Sequence, residues 1–170
     1  MATFKPSMLN GSNNPDISNN VWWESGGIAK TNAFFREGLW RFKNAGSAKI
    51  KLGGRFTVPN NYNASGTTLI IVKWTTTATS NNLVWGFEYR SIAGDDSNSL
   101  DQSTAVETLS VTDVAPGAAW RQLLPTMTVT ASNIAAGDTL QYNFYRDKSS
   151  GSDTLAADGF LVDLIFSYTD

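Results

Sequence analysis

The sequence contains neither cysteine nor histidine. Without cysteine there is no disulfide framework, no thiolate zinc site and no cysteine nucleophile. Without histidine the chain lacks the commonest general base and the commonest transition-metal ligand, which excludes a Ser-His-Asp triad and histidine-bearing metal sites. Carboxylate-based catalysis remains open. The composition nevertheless predicts a protein that is not an enzyme and needs no cofactor.

Long apolar runs are also missing, and no stretch approaches the roughly 20 apolar residues that a membrane-spanning helix needs. The first 20 residues are polar and lack the apolar centre of a signal peptide. We therefore expect a soluble protein that is made in the cytoplasm and has no membrane partner.

Charge is scarce and unevenly distributed along the 170 residues, although the net charge is only −2. Residues 1–90 contain 10 Lys/Arg against 4 Asp/Glu, whereas residues 91–170 contain 3 against 11. If strands of both halves interleave, the surface charge averages out. If they do not, a basic and an acidic face would suit head-to-tail packing. The basic cluster between residues 30 and 55 has no nucleic-acid-binding motif beside it, so nucleic acid is not expected as a partner.

Hydrophobic residues alternate with a period of two, which is typical of antiparallel strands with one buried face. In "NLVWGFEYRS" the inner set is Leu83, Trp85, Phe87 and Tyr89. In the last segment the predicted inner set is Phe160, Val162, Leu164, Phe166 and Tyr168. Trp74 shares a face with Ile70 and Val72 and is predicted to lie in the core with Trp85.

Further strand candidates lie at residues 39–43, 48–52, 55–59, 68–79, 105–114, 122–131 and 139–147, with turn signals such as "LGG", "APG" and "AAGD" between them. About eight strands and no long helix predict an all-β fold, a two-sheet antiparallel jelly-roll sandwich with an extended N-terminal arm. We predict two parts: an N-terminal arm and anchoring segment at residues 1–38, and the jelly-roll sandwich at residues 39–170.

The segment "RDKSSGSDTLAAD" places oxygen-bearing side chains at the spacing of a helix–loop–helix calcium site. The motif fails because strands flank it, serine occupies position 6 and aspartate occupies position 12. A non-helical calcium site at Asp147, Asp153 and Asp158 stays open, as does one at Asp95, Asp96 and Asp101. Solvated turns in which these side chains bind nearby backbone amides are the alternative.

Several short motifs give the sequence a resemblance to a known group of proteins. They are "FTVP" at residues 56–59 with Tyr62, the strand of Trp74, "NNLVW" at 81–85, "AAGD" at 135–138, and 146–158 leading to Tyr168. Over residues 55–169 the chain resembles unannotated jelly-roll β-sandwich virion proteins of tailed bacteriophages. The resemblance implies a structural virion component on the head or the tail, without enzymatic activity.

Aromatic and arginine residues near the N-terminus lie outside the main alternation, and these residue types dominate the energetics of many interfaces. The predicted partner-binding set is Trp22, Trp23, Phe34, Phe35, Arg36, Trp40 and Arg41. The same residues could instead cap one end of the sandwich, and Trp22 or Trp23 could stack on a sugar. Trp120 is assigned to neither the core nor the surface.

These observations lead to three hypotheses about function. The first is a capsid decoration (cement) protein on the outer shell, binding the major capsid protein or other virion proteins, trimeric and made in the host cytoplasm. The second is a receptor-binding or carbohydrate-binding module on a tail appendage. The third is a carboxylate-only glycosidase using the loop of Asp95, Asp96 and Asp101, which would need two carboxyls about 5–9 Å apart.

Overall fold

The computed structural model describes residues 2–4, 21–24, 39–95, 99–101 and 103–170. These residues contain ten strands and one short 3-10 turn at Ala131–Asn133. The strands are β1 (Ala2–Phe4), β2 (Val21–Glu24), β3 (Leu39–Phe42), β4 (Lys49–Thr57), β5 (Thr68–Thr76), β6 (Asn82–Ile92), β7 (Glu107–Val114), β8 (Thr126–Val129), β9 (Thr139–Asp147) and β10 (Gly159–Tyr168).

The strands form two antiparallel sheets. The six-stranded sheet has the order β2-β3-β10-β5-β8, with β1 pairing with the far end of β10. The four-stranded sheet has the order β4-β9-β6-β7. Strands that follow each other in sequence mostly lie in different sheets, so the chain crosses repeatedly between the layers. The predicted all-β, two-sheet antiparallel sandwich is confirmed.

The core lies between the two sheets and is rich in aromatic side chains. Leu83, Trp85, Phe87 and Tyr89 are all at most 1% exposed, as the alternation in β6 predicts. Trp74 is also fully buried, and its ring meets Trp85 edge to face with 5.7 Å between centroids. The predicted core positions of both tryptophans are confirmed.

One predicted turn is wrong, because "LGG" continues the strand instead of ending it. The two strands predicted at 48–52 and 55–59 are one strand, β4 (Lys49–Thr57), that runs through both glycines and pairs with β9. Gly54 faces the core opposite Tyr142, and a Cβ there would lie 2.4 Å from the Tyr142 hydroxyl. Glycine is therefore needed at this position because any side chain would collide with Tyr142.

The predicted inner face of the last strand is wrong at its start. The register of β10 against β5 shifts between Leu161 and Asp163, which is a β-bulge. Because a shift of one residue moves side chains to the opposite face, Leu161 points into the core before the bulge and Leu164 after it. Phe160 consequently lies on the outer face of the six-stranded sheet.

Candidate functional site

Strand pairing places four residues of the predicted partner-binding set in two rows that run across the strands, one on each face of the sheet. In the β2–β3 pair, Trp22 lies opposite Arg41 and Trp23 lies opposite Trp40. Trp40 in turn lies opposite the fully buried Leu161 and packs, partly buried, against the core. Trp40 therefore contributes to packing around the core. Arg41 belongs to the row on the outer face of the sheet, which we call the outer row.

Arg41 is held at the surface by an ion pair with Asp158. Its Nε donates to Asp158 Oδ2 at 2.7 Å, and its Nη2 lies 2.6 Å from the same oxygen. The backbone N–H of Asn44 donates to the other carboxylate oxygen at 2.7 Å. The two side chains are 33% and 21% exposed, so the pair is fixed in place and still reaches solvent.

Trp120 is the aromatic residue that completes this outer row. Its ring packs on Phe160 with 5.3 Å between centroids and 35° between planes, and Phe160 lies directly opposite Arg41 in the strand pairing. The side chain is half-buried. Trp120 also adopts a φ of 66°, a left-handed backbone that a bulky side chain rarely takes. Such strained positions concentrate at functional sites.

Two hydrogen bonds attach the strained segment to β5. The N–H of Trp120 donates to the carbonyl of Thr76 at 2.8 Å, and the Thr75 hydroxyl donates to the carbonyl of Arg121 at 2.9 Å. Thr75 is the partner of Phe160 across the sheet. We define the Trp120 patch as Arg41, Thr75, Trp120, Asp158 and Phe160.

Sequence patterns predict Arg41 as a partner-binding residue, leave Trp120 open between core and surface, assign Asp158 only to a calcium site and give no sign of Thr75. The alternation places Phe160 in the core because it carries no sign of the bulge in β10. The left-handed backbone of Trp120 has no sequence signal either, since glycine or asparagine is the usual residue there. The "APG" turn four residues earlier was the only hint that Trp120 lies outside a regular strand.

The predicted calcium carboxylates are engaged with other groups. Asp147 accepts a bond from the N–H of Ser149 in a local turn, and Asp158 is bound to Arg41. Asp153 is buried against Arg146. In the part of the chain that the structure describes, no group of three or more such ligands could hold a metal ion. The three aspartates therefore organise the loop and do not converge on a common centre.

Arg146 is the centre of that loop, and its side chain is completely buried. Its guanidinium makes two bonds to Asp153, at 3.0 and 2.8 Å, and donates to the carbonyls of Leu155 and Ala157 at 2.7 and 2.8 Å. Lys148 adds a third cationic bond to Asp153 at 3.1 Å. Burial raises the pKa of Asp153, but these bonds and charges outweigh it and leave the pKa below its ordinary value.

Phe34, Phe35, Arg36 and Asp96 lie outside the described residues. Asp95 and Asp101 are exposed on the connection between β6 and β7. Within the described ranges, the structure contains no helix that is both long and apolar enough to cross a membrane.

Comparisons with known proteins find matches among solved structures. No family model matches this sequence, and no curated protein matches it. Thirty-six chains of solved structures do match. The K1 cleaved adhesin domain of Lys-gingipain from Porphyromonas gingivalis W83 is 13% identical, with full coverage of both chains and a TM-score of 0.50.

Two further matches are carbohydrate-binding modules. The module CBM6cm-2 from Cellvibrio mixtus lichenase 5A, solved with cellotriose, is 11% identical over 99% of this chain and 96% of that one, with a TM-score of 0.49. The C-terminal CBM6 of LamC from Zobellia galactanivorans is 16% identical over 99% and 100%, with a TM-score of 0.46. No phage-specific relative is shown, so the phage resemblance stays a prediction. At 13% identity the match to the adhesin domain shows a shared fold alone, in agreement with the two-sheet antiparallel β-sandwich described above.

Proposed function

We propose that this protein is a non-catalytic recognition module that binds carbohydrate through the Trp120 patch. One observation carries the proposal: a half-buried indole lies on Phe160, and the partly exposed Arg41–Asp158 ion pair flanks the same Phe160. The cellotriose complex belongs to the Cellvibrio module. For this chain the support comes from the chemistry of the patch.

A pyranose has an apolar face and a rim of hydroxyl groups, and the Trp120 patch offers a counterpart to each. The indole provides a broad apolar surface with little conformational freedom to lose. Arg41 supplies N–H donors and Asp158 supplies acceptor oxygens, which suits neighbouring hydroxyls that both donate and accept. Because all five residues lie on strands or are bonded to them, the geometry is set before the ligand arrives.

The hypothesis of a structural virion protein is not tested by the fold. This applies to the predicted capsid protein partner, to the trimer and to the location on the virion. The predicted alternative, a carbohydrate-binding β-sandwich, agrees better with the Trp120 patch than a cement role does. Its placement on a tail appendage stays a prediction.

A glycan array followed by titration calorimetry tests the proposal. We expect the wild-type protein to bind at least one oligosaccharide. Replacing Trp120 with alanine should then weaken binding of that oligosaccharide about thirtyfold, the effect of losing an anchor worth about 2 kcal/mol. Trp120→Phe keeps an aromatic surface and should retain part of the affinity.

Leu124→Ala is the matched control, since Leu124 is 52% exposed and lies outside the patch. It should leave the affinity unchanged, and thermal unfolding of all three variants should confirm that they fold. An array without any bound glycan would refute the proposal. Equal affinity of Trp120→Ala and the wild type would show that the patch is not the site.

A further inference from the structure

The opposite side of the sandwich carries a second feature that the Trp120 patch does not use. Every second residue of β4 faces outward on the four-stranded sheet, and three of these residues are Lys49, Lys51 and Arg55. Neighbouring outward positions on one strand are about 7 Å apart, so this row of cations extends for about 20 Å.

The two lysines are held in position by neighbouring side chains. Lys49 Nζ donates to the Tyr145 hydroxyl at 3.2 Å and lies 4.4 Å from the centre of the Tyr145 ring. Lys51 Nζ donates to Glu88 at 2.6 Å, and Asn143 donates to the same carboxylate oxygen at 2.9 Å. These contacts keep the ammonium groups above the sheet instead of letting them extend freely into water.

Two glycines make this face shallow. At Gly86 the ring of Tyr145 takes the space that a side chain would fill, because a Cβ there would lie 2.2 Å from the ring. Gly53 is exposed and lies opposite Asn143, and it adds no side chain of its own to this face. An extended ligand could therefore lie along the sheet between the row of cations and the polar side chains of β9.

The charge of this face is positive. Its outward-facing charged residues, among those the structure describes, are four cations and two carboxylates: Lys49, Lys51, Arg55, Arg90, Glu88 and Asp147. The hydrogen bond with Tyr145 raises the pKa of Lys49, so it is charged at neutral pH. Burial opposes ionisation of Glu88, but the bonds from Lys51 and Asn143 leave its pKa lowered, so one carboxylate remains charged beside three cations of β4.

We propose that this surface, the basic face, binds an acidic polysaccharide whose sulfate or carboxylate groups lie along Lys49, Lys51 and Arg55. The surplus of positive charge selects an anionic polymer. The amide groups of Asn143 and Gln141, on the strand next to the row of cations, suit a polyhydroxylated backbone. The site is separate from the Trp120 patch, which lies on the other sheet.

Binding of the 170-residue chain to dextran sulfate and to dextran, both immobilised at matched chain length, tests the inference. We expect binding to dextran sulfate that weakens with added salt, since exposed charges are screened, and no binding to dextran. Polygalacturonate in a parallel channel shows whether carboxylates serve as well as sulfates, and binding to either polyanion supports the site. Duplex DNA bound as tightly as these polysaccharides would overturn it, because the face would then hold any polyanion.

The variants Arg55→Gln and Lys49→Gln/Arg55→Gln localise the contact. We expect a reduction in affinity of about threefold for the single and about tenfold for the double substitution, as for exposed charge contacts. Lys73→Gln removes one charge from the other sheet and should stay within about twofold of the wild type. Equal losses in Lys73→Gln and Arg55→Gln would overturn the site, and so would an unchanged double variant. Since Trp120→Ala retains the basic face, it should bind dextran sulfate normally even if the proposed glycan site fails.

Discussion

Replacing Asp153 with asparagine is expected to lower the free energy of unfolding by about 3–5 kcal/mol, the usual cost of breaking a buried ion pair by removing one partner. Both side chains of the Arg146–Asp153 pair are completely inaccessible to solvent. The substitution leaves the guanidinium buried with only carbonyls and a neutral amide around it. Urea denaturation followed by circular dichroism measures the change.

The loop should lose its order together with this stability. Asp153 also accepts a bond from the N–H of Val84 in β6, while Arg146 holds the carbonyls of Leu155 and Ala157. The pair therefore attaches the connection between β9 and β10 to the four-stranded sheet. Amide exchange in residues 148–157 should accelerate more than exchange in the strands of the core.

The acid dependence of unfolding has a defined sign. Because the pKa of Asp153 is lowered in the folded protein from an ordinary value of 3.8, its contribution to stability is fully present above about pH 4. It is lost as the pH falls through the lower, folded-state value. The stability difference between the wild type and Asp153→Asn should therefore be constant near neutral pH and shrink below about pH 4.

Asp158→Asn is a matched control, since it is the same substitution near the end of the same loop. The Arg41–Asp158 pair is partly exposed, and such pairs contribute about 1 kcal/mol or less. If Asp153→Asn costs no more than Asp158→Asn, the buried pair does not hold the loop as the geometry indicates.

Alternation of apolar residues was sufficient to predict the sandwich and much of its core. In β6 four inward residues in a row are large and mainly apolar (Leu83, Trp85, Phe87 and Tyr89), so burying that face decides the orientation of the strand. The same rule failed where one residue changes the register. In β10 the bulge after Leu161 moves the following side chains to the opposite faces. The sequence does not reveal this shift because both faces of the strand carry apolar residues.

The candidate sites were harder to predict because they depend on residues far apart in the sequence. Arg41 and Asp158 are 117 positions apart, and only the pairing of β3 with β10 brings them together. The spacing of aspartates in residues 147–158 suggested calcium. In the structure, the cation that binds Asp153 is the guanidinium of Arg146. In the sequence, Arg146 is simply a charged residue near the end of a predicted strand. Alternation from Leu140, Tyr142 and Phe144 places Arg146 on the inner side of β9, but it does not reveal which carboxylate accompanies the buried arginine.

Truncating Trp85 to alanine is the second large effect, with an expected loss of about 3–5 kcal/mol of unfolding free energy. The ring is fully buried and lies 4.9 Å from Phe144 and 5.1 Å from Phe42, measured between centroids. It also contacts Trp74, so its removal opens a cavity between the two sheets. Chemical denaturation of the purified variant measures the loss.

Phenylalanine substitutions separate packing from hydrogen bonding at the two central tryptophans. Trp74 Nε1 donates to Asp113 Oδ2 at 2.7 Å, a bond to a charged group that links the two sheets. Trp85 Nε1 is buried and has no hydrogen-bond partner within the described residues. Trp74→Phe should therefore cost about 1–3 kcal/mol more than Trp85→Phe, because only the first substitution removes a hydrogen bond, the one from the indole to the Asp113 carboxylate.

The comparison also tests where the stability of the sandwich originates. If the two phenylalanine variants are equally stable, the Trp74–Asp113 bond contributes nothing measurable and apolar packing alone joins the sheets. If Trp85→Phe is the more destabilised of the two, the Trp85 N–H has a stabilising contact that the structure does not contain. The expected order follows from geometry alone, since the two rings are equally buried and differ mainly in the partner of one nitrogen atom.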